Sequence, residues 1–439
     1  MNCLVYGFTY STRRIIDNLT EQKIIDKKIW FADHENIQEN VYRLINFNRE
    51  NNWLDVYKEQ FIKYTDGVEY NHEVYQKVFS DFWHYIDCES RIESRGLNPV
   101  HWYLNKFNML YRFIYAVLVK ENIELCLFSN LNHLGADLLI YNIAKAMGIK
   151  TLFFTQGSMP GFYDRVFYMT DNSDYGDFTY MQRKFEESNY QIKQTTSDDI
   201  FYMKPKKKTF RDFKRSLPFY KPEKYGKLRE YKQRLSALFE DVDYSRKYVY
   251  FAMHLQPELT TSCLGGIYCD QLLALERLSE LIPDDWVIYA KENPGQNERM
   301  RDESFFQRLS FIPKVKVAPL TENSLKLILG SQFVSTITGT VGYEALCAGK
   351  KALVFGSTWY QNFEGAVKWR DDLTLDEIMS GSIDIKKLEK DQNELLSRMP
   401  YGVIDLDYVA GVKNYDENKS INSMTQVVID CINEMKECK

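Results

Sequence analysis

The stretch from Ser335 to Trp359, STITGTVGYEALCAGKKALVFGSTW, constrains the fold more than any other part of the sequence. Its pattern predicts a strand over Phe333 to Ile337, a tight turn and a short helix over Val341 to Ala348 that ends at Gly349. A second strand follows over Lys351 to Phe355. A strand, turn, helix and strand in this order predict one unit of an α/β domain.

The start of this helix is a candidate phosphate site. A helix start offers free N–H groups and the positive end of the helix dipole, and Gly339 and Gly342 carry no Cβ that would hold an anionic group away. If Thr340 is the N-cap, Glu344 lies one position past the capping-box site and is available for ribose hydroxyls. We therefore predict that Thr338, Gly339, Thr340, Gly342 and Glu344 bind a donor nucleotide. On this segment alone an ordinary β–α turn is an equal alternative, and Glu344 favours the phosphate site.

The chain has 439 residues, of which 44% are hydrophobic and 27% charged. This length and composition indicate a globular protein that is long enough for two domains. The start, MNCLVYGFTYSTRR, predicts a short strand followed by charge, without the pattern of a signal peptide, and no apolar run reaches the length of a membrane span. We expect a cytoplasmic protein. The eight cysteines are scattered without C-x-x-C pairs, which favours reduced, structural thiols.

The N-terminal part predicts a βαβ opening. Cys3 to Phe8 has the pattern of a strand, Ser11 caps a helix through Leu19, and Lys28 to Ala32 is a second strand. The turn from Gly7 to Ser11 lacks G-x-G-x-x-G, so a dinucleotide-binding motif is not supported. Residues 35 to 122 are rich in Tyr and charge and predict a helical elaboration of the first domain.

Regular alternation then resumes. We predict a strand over Glu124 to Ser129, a helix over Leu134 to Met147 that ends at Gly148, and a strand over Thr151 to Thr155. The loops Asn130 to His133 and Gln156 to Gly161 follow the carboxyl ends of the two strands. In open α/β sheets this edge binds ligands.

His133, Gln156 and Gly157 are the acceptor-side candidates in these loops. A lone histidine just before a helix is more often a cap or a packed side chain than a catalyst. Its place in a strand-end loop admits a second hypothesis, in which His133 binds the acceptor or carries a proton. Gln156 is weighed in the same way.

Residues 204 to 234 carry thirteen Lys or Arg against three Asp or Glu, while the whole chain has a net charge of −5. Interleaved Phe, Tyr and Pro predict a linker that runs into a helix. No recognised nucleic-acid-binding motif accompanies this basic run, so we expect no nucleic acid. An anionic membrane surface or an anionic glycan fits it better, and a solvated linker is the alternative.

The second domain repeats the pattern of strand and helix, which predicts a parallel sheet covered on both faces. Loops at 254 to 258, 291 to 295 and 338 to 342 would then line one edge. Lys291 can meet a phosphate as a point charge. Glu258 is the carboxylate expected nearest the chemistry. The predicted elements are strands over Tyr248 to Leu255, Trp286 to Ala290 and Val315 to Ala318, and helices over Tyr268 to Leu281 and Ser324 to Leu329.

Five motifs follow one another along the chain: NLNHLGADLLIYNIAKAMGIKTLFF (130 to 154), HLQPE (254 to 258), KENPG (291 to 295), TGTVGYEALCAGK (338 to 350) and FGSTWY (355 to 360). This ordered set resembles the capsular polysaccharide biosynthesis proteins, a family that includes retaining transferases of keto-deoxy-octulosonate (Kdo) and related sugars. The resemblance covers about residues 124 to 360.

The resemblance implies an α/β fold of the GT-B type, with two Rossmann-like doubly wound domains that face a cleft and the nucleotide held by the second. Cytidine monophosphate (CMP) sugars are the usual donors of the ulosonic acid members. Related enzymes often have His-Pro where this chain has Asn293 and Pro294, and that histidine typically contacts the donor phosphate. Asn can donate a hydrogen bond there but cannot become cationic.

We therefore predict a glycosyltransferase of capsule or lipopolysaccharide biosynthesis, cytoplasmic or peripheral at the inner membrane face. It would move a sugar, favoured as a CMP-activated ulosonic acid such as Kdo or a nonulosonic acid, to a glycan or lipid-linked acceptor. Glu258 and His133 would be catalytic, Gln256, Lys291 and Asn293 would join the donor site, and no metal or other cofactor is required. The alternatives are a nucleotide-sugar 2-epimerase-like enzyme and a non-catalytic polysaccharide assembly protein.

The predicted domain organisation has four parts. They are an acceptor domain over 1–203 with the helical insertion at about 35–122, a basic linker and helix over 204–247, a nucleotide-sugar-binding domain over 248–385 and a C-terminal helical segment over 386–439. The last segment is a candidate to pack back on the first domain.

Overall fold

The computed structural model describes residues 1–31, 41–42, 61–91, 98–158, 161–170, 176, 181, 183–192 and 222–437. Two compact units divide the chain. The first comprises Met1–Glu187 and Leu395–Lys439, and the second Ser188–Glu394. Residues 204–221 of the basic run lie outside the described residues.

The first unit is built on a six-stranded sheet in the order β3-β2-β1-β4-β5-β6. All neighbouring pairs are parallel except β5 and β6, which are antiparallel. Strand β4 is buried along its whole length, as its continuous apolar run requires when helices cover both faces of a sheet. The strands are β1 Asn2–Tyr6, β2 Lys27–Phe31, β3 Val41–Tyr42, β4 Leu125–Phe128, β5 Lys150–Gln156 and β6 Val166–Thr170.

Helices of the first unit include the predicted elaboration between β3 and β4. Asn71 caps the first of these helices by accepting the N–H of Val74 at 3.0 Å. Gly148, with φ of 73°, ends the helix between β4 and β5 in the left-handed conformation that glycine adopts without penalty, as predicted. The helices are Arg13–Glu21, His72–Phe79, Phe82–Ser90, Val100–Lys120, Ala136–Met147 and Glu417–Glu437.

The second unit contains a fully parallel sheet in the order β12-β11-β10-β7-β8-β9. Alternate residues of β7 enter different apolar clusters: Val249 and Phe251 pack in one, and Tyr248 and Tyr250 in the other. The sheet is therefore covered on both faces, as predicted. The strands are β7 Tyr248–Ala252, β8 Val287–Lys291, β9 Val315–Val317, β10 Val334–Thr336, β11 Ala352–Val354 and β12 Ala366–Lys368.

Side-chain caps explain where several helices of this unit begin. Asp270, Asp302 and Asn323 each accept a backbone N–H from the first turn of the helix that follows. The helices are Pro222–Ala237, Leu259–Leu264, Gln271–Leu281, Glu303–Phe311, Ser324–Gly330, Thr340–Cys347 and Leu375–Met379, and the helix Ile385–Arg398 begins in this unit and ends past its last residue, Glu394.

In each sheet the first strand along the chain lies at the centre, the strands that follow it add on one side, and the later strands add on the other. The side on which strands are added therefore reverses between β1 and β4 in the first sheet and between β7 and β10 in the second. The α/β fold class, with two Rossmann-like doubly wound units and a helical elaboration in the first, is confirmed. In each unit the pair of strands at this reversal marks the crevice in which such sheets bind ligands.

Some local predictions were wrong. The helix of the 335–359 stretch begins at Thr340 with Gly339 as N-cap, one residue earlier than predicted. The short helix Leu259–Leu264 and the strands β3, β6 and β12 were not predicted. Within the described part of the chain, no helix is both long and apolar enough to cross a membrane.

Candidate functional site

The candidate site lies at the carboxyl edge of the second sheet, where β7 and β10 are neighbours. Ala252 at the end of β7 pairs with Thr336 at the end of β10. The loops that leave these strands carry His254 and Thr338, so residues 84 positions apart in the chain meet at the reversal point of the sheet.

His254 joins the two loops. Its Nε2 accepts the backbone N–H of Thr338 at 3.2 Å and lies 2.8 Å from Oγ1 of Thr336. Burial lowers the pKa of His254 to about 4; the Glu258 carboxylate opposes this shift and the Arg301 guanidinium adds to it. The imidazole is therefore neutral at pH 7, and its proton sits on Nδ1 because Nε2 is the acceptor. From the sequence, this loop was placed at the edge of the sheet, but His254 was not predicted as a site residue.

The start of the helix Thr340–Cys347 presents backbone donors beside this histidine. The N–H of Gly342 is already used, since it donates to the carbonyl of Gly339 at 3.1 Å. The N–H groups of Thr340 and Val341 occupy the first turn, where a helix supplies no acceptor. Oγ1 of Thr338 is buried and has no hydrogen-bond partner among the described residues. Three donors thus lie together at one helix start.

Packing requires glycine at positions 339 and 342. An ideal Cβ on Gly342 would lie 2.9 Å from Cζ of Tyr360 and closer still to its hydroxyl. Tyr360 is fully buried, and its hydroxyl donates to the carbonyl of Gly339. An ideal Cβ on Gly339 would lie 2.7 Å from Oγ1 of Thr336. The structure therefore gives Gly342 a different reason from the predicted one: it makes room for an aromatic ring.

Glu344 is the fifth residue of this helix and is buried. Burial raises the pKa of Tyr250 to about 12, and the Glu344 carboxylate contributes to the same shift. The carboxylate therefore lies within electrostatic reach of a buried tyrosine of β7. Its contact with a ribose stays a prediction.

Lys291 is the last residue of β8, the strand on the other side of β7, and Asn293 lies in the loop that follows it. The buried ammonium of Lys291 donates to the carbonyl of Glu322 at 2.6 Å and to Oγ of Ser324 at 3.0 Å. Burial lowers its pKa, and the Glu322 carboxylate opposes that shift. Oδ1 of Asn293 accepts the N–H of Gly295 at 2.8 Å and so closes the turn. Two of the three N–H groups of Lys291 are thus committed within the protein.

Gln256 has a structural role at both ends of its amide. Its Nε2 donates to the carbonyl of Cys269 at 2.5 Å, and its Oε1 accepts from Gln271 at 2.7 Å and from Arg301 at 3.0 Å. The predicted contact of Gln256 with the nucleotide-sugar donor would compete with these hydrogen bonds.

Glu258 is the N-cap of the helix Leu259–Leu264. Its Oε2 accepts the backbone N–H of Thr260 at 2.8 Å and the hydroxyl of the same residue at 2.7 Å. One oxygen of the carboxylate thus caps a helix.

An ion pair beneath this edge was missed in the sequence. Nε of Arg301 donates to Oε2 of Glu292 at 2.7 Å, and both side chains are at most 1% exposed. The same guanidinium donates to the carbonyl of His254 at 3.3 Å. It ties the loop after β7 to the loop after β8. The sequence signal was a charged residue, Glu292, directly after a buried strand.

The acceptor-side candidates lie in the first unit. Backbone N–H groups of His133 and Leu134 donate to the buried carboxylate of Asp137, and Nδ1 of His133 lies 2.5 Å from the carbonyl of Leu131. Gln156 donates to the carbonyls of Tyr163 and Arg165 at 3.0 Å each.

The other end of the Gln156 amide binds the C-terminal segment. Its Oε1 accepts the N–H groups of Ile404 at 2.9 Å and Asp405 at 3.3 Å. An ideal Cβ on Gly157 would lie 2.8 Å from the carbonyl oxygen of Arg165, so only glycine fits there. Gln156 and Gly157 therefore support the fold, and their contact with an acceptor stays a prediction.

The second unit thus brings together Thr338, Gly339, Thr340 and the unpredicted His254 at the β7–β10 crevice, with Lys291 at the end of the adjacent β8 and Asn293 in the loop after it. Glu258 and Gln256 belong to the loop after β7, and their side chains form hydrogen bonds with residues that follow this loop. Within the described ranges, no three His, Cys, Asp or Glu side chains are grouped as a metal site would require.

Comparison with known proteins gives only distant structural likenesses. No family model and no curated protein matches the sequence. The beta Kdo 2,7 transferase KpsC of Thermosulfurimonas dismutans is similar with a TM-score of 0.35 and 10% identity, over 97% of this chain and 99% of that one.

Two nucleotide-sugar epimerase structures are also similar. The UDP-GlcNAc 2-epimerase of Methanocaldococcus jannaschii, in complex with UDP-GlcNAc and UDP, has a TM-score of 0.25 and 12% identity over 97% of this chain and 98% of that one. The epimerase of Neisseria meningitidis bound to UDP-GlcNAc has a TM-score of 0.24 and 11% identity over 99% and 100%. Likeness at this level carries no argument about activity, donor or acceptor.

Proposed function

We propose that the protein is a glycosyltransferase that holds a nucleotide-sugar donor at the β7–β10 crevice of the second unit. The observation that carries the proposal is the start of the helix Thr340–Cys347. Among the described residues the buried hydroxyl of Thr338 has no hydrogen-bond partner, and two N–H groups of the first turn have no acceptor within the helix, beside a neutral histidine. A phosphate supplies the acceptor oxygens and the negative charge that suit such a group.

Sugar transfer requires hydrogen-bond donors beside the phosphate that leaves the sugar. When the bond between sugar and nucleotide breaks, negative charge develops on the departing phosphate, and fixed N–H donors stabilise that charge without reorganisation. Lys291 would add a cation at the adjacent strand end, and Asn293 a neutral contact. Glu344 would accept hydrogen bonds from the ribose.

The motif resemblance favours a CMP-activated ulosonic acid as donor and a glycan or lipid-linked acceptor. It assigns the acceptor to the first unit, where His133 would bind it or carry a proton. Gln156 and Gly157 would contribute by holding the turn that follows β5. The basic run of residues 204–234 would draw the enzyme to an anionic membrane surface or glycan.

Nucleotide binding is the first expected result. A ligand present at about 100 times its Kd stabilises the folded state by about 2.7 kcal/mol. We expect a thermal-shift screen with CMP, UDP and GDP to show an increase in Tm, largest for CMP. Unchanged Tm with all three nucleotides would contradict the proposal.

Release of free nucleotide distinguishes the activities. A transferase releases it only when an acceptor is supplied. A nucleotide-sugar 2-epimerase would convert its substrate without an acceptor, and a non-catalytic assembly protein would release nothing. Either of these two results would contradict the proposed transferase activity.

Replacing Glu258 with glutamine tests the proposed acid–base role against the capping role. Glutamine keeps an oxygen that can accept from Thr260, so the cost in stability should stay within about 1 kcal/mol. Loss of the basic group should lower kcat by about 10²-fold with little change in nucleotide Kd.

The control for this variant is Thr260→Val, which removes the hydroxyl that binds Glu258 and leaves the carboxylate in place. We expect its kcat to remain close to that of the unaltered enzyme. A Glu258→Gln enzyme with normal kcat would reduce Glu258 to a helix cap, and His133 would become the leading candidate.

A further inference from the structure

We propose that His254 is a positioning residue that fixes the turn from Thr338 to Thr340. It thereby orients the hydrogen-bond donors that lie at the start of the helix Thr340–Cys347. The role of those donors in holding a phosphate rests on the proposed function. The geometry of the turn is a property of the ligand-free protein and can be tested without any nucleotide.

The contact between His254 and the turn is direct. The N–H of Thr338 donates to Nε2 at 3.2 Å, so this backbone group faces into the protein. An ideal Cβ on Gly339 would lie 3.0 Å from Nε2 and 3.2 Å from Cε1, so the ring packs against the next residue as well. The imidazole therefore sets the orientation of the peptide between Ile337 and Thr338 and packs against Gly339, the residue directly before the helix.

The imidazole can serve as a fixed reference because the backbone of His254 is itself held at both ends. Its N–H donates to Oε1 of Gln271 at 2.6 Å, and its carbonyl accepts from Nε2 of Gln271 at 3.1 Å. The guanidinium of Arg301 donates to the same carbonyl. All of these groups are buried. Rigid support of this kind is what precise placement of binding groups requires.

The residue must act as an acceptor to fill this role. A neutral imidazole accepts at Nε2, and the amide oxygen of glutamine can reach a similar position, whereas leucine has no acceptor. His254→Leu leaves the Thr338 N–H buried without a partner, which costs more than the bond itself contributes. His254→Gln should restore the contact.

The first measurement is hydrogen exchange of backbone amides over residues 336–343 in the ligand-free protein. We expect exchange of the Thr338 amide to be at least about tenfold faster in His254→Leu, and to be close to the unaltered rate in His254→Gln. The matched control is His72→Leu, the same change at an exposed histidine of the first unit, which should leave these amides unaffected.

The second measurement is the Kd for CMP by calorimetry. We expect about tenfold weaker binding in His254→Leu and a change of less than about threefold in His254→Gln. A general loss of stability would weaken both variants, so rescue by glutamine distinguishes positioning from a merely structural role. Equal impairment of the two variants would overturn the proposal.

The third measurement uses the unaltered protein and does not depend on variants that fold. Nitrogen NMR of labelled histidine should show an unprotonated Nε2 and a protonated Nδ1 for His254 at pH 7. A protonated Nε2 would overturn the proposal. If the unaltered protein binds no nucleotide, the proposed function fails, and the exchange and NMR results still decide the role of His254.

Discussion

Replacing Gly342 with alanine is expected to destabilise the second unit by about 2–3 kcal/mol. The added Cβ would lie 2.9 Å from Cζ of Tyr360. Tyr360 cannot move aside at low cost, because it is fully buried and its hydroxyl donates to the carbonyl of Gly339. The effect should appear in urea unfolding as a lower transition midpoint.

Gly226→Ala is the matched control for this prediction. Gly226 also lies in a helix, and an ideal Cβ there meets nothing within 4 Å. Alanine should therefore stabilise that helix by up to about 1 kcal/mol. If Gly342→Ala kept full stability and lost only nucleotide binding, the glycine would serve phosphate approach, and the packing account would be wrong.

Replacing Arg301 with methionine is expected to have the largest effect on stability, about 3–5 kcal/mol. The change leaves the carboxylate of Glu292 buried without its main partner, and it removes the guanidinium that joins the loops after β7 and β8. Adding Glu292→Gln to the same chain should recover part of the loss, because the buried negative charge disappears.

The control is Arg277→Met. Arg277 forms an ion pair with Glu280 on the same helix, and both side chains are largely exposed. Exposed pairs of this kind contribute no more than about 1 kcal/mol. Urea unfolding of the two variants compares them directly. A cost for Arg301→Met as small as that for Arg277→Met would show that the buried pair does not support these loops.

The strands and helices near the candidate site were largely predictable from the sequence because their signals are local. Apolar runs of the right length marked β4, β7 and β8, and Gly148 and Gly349 marked helix ends through their left-handed backbone. The order of strands along the chain was sufficient to predict that three loops share one edge of the second sheet.

The hydrogen-bond partners of polar loop residues were not predictable. Gln156 and Gln256 have the same sequence signature as ligand-binding amides, and both are engaged by groups that are distant in the chain. For the same reason, His254 was not predicted as a site residue. Its importance depends on the pairing of β7 with β10, which places Thr338 beside it. No local pattern records that pairing.

Glu258 shows a different limit. Ser, Thr, Asp and Asn are the usual N-cap residues, so a glutamate before Leu259 gave no signal for a helix start. The helix Leu259–Leu264 is six residues long, too short to show a clear period. A carboxylate in a strand-end loop was therefore assigned to chemistry, while the structure also gives it the task of a cap.

Hydrogen-exchange footprinting with saturating CMP tests the central claim most directly, because it reports where a nucleotide binds. The account predicts increased protection of amides within residues 336–343, and above all of Thr340 and Val341, whose N–H groups would gain a phosphate acceptor. Binding of CMP that protects other segments and leaves 336–343 unchanged would contradict the account.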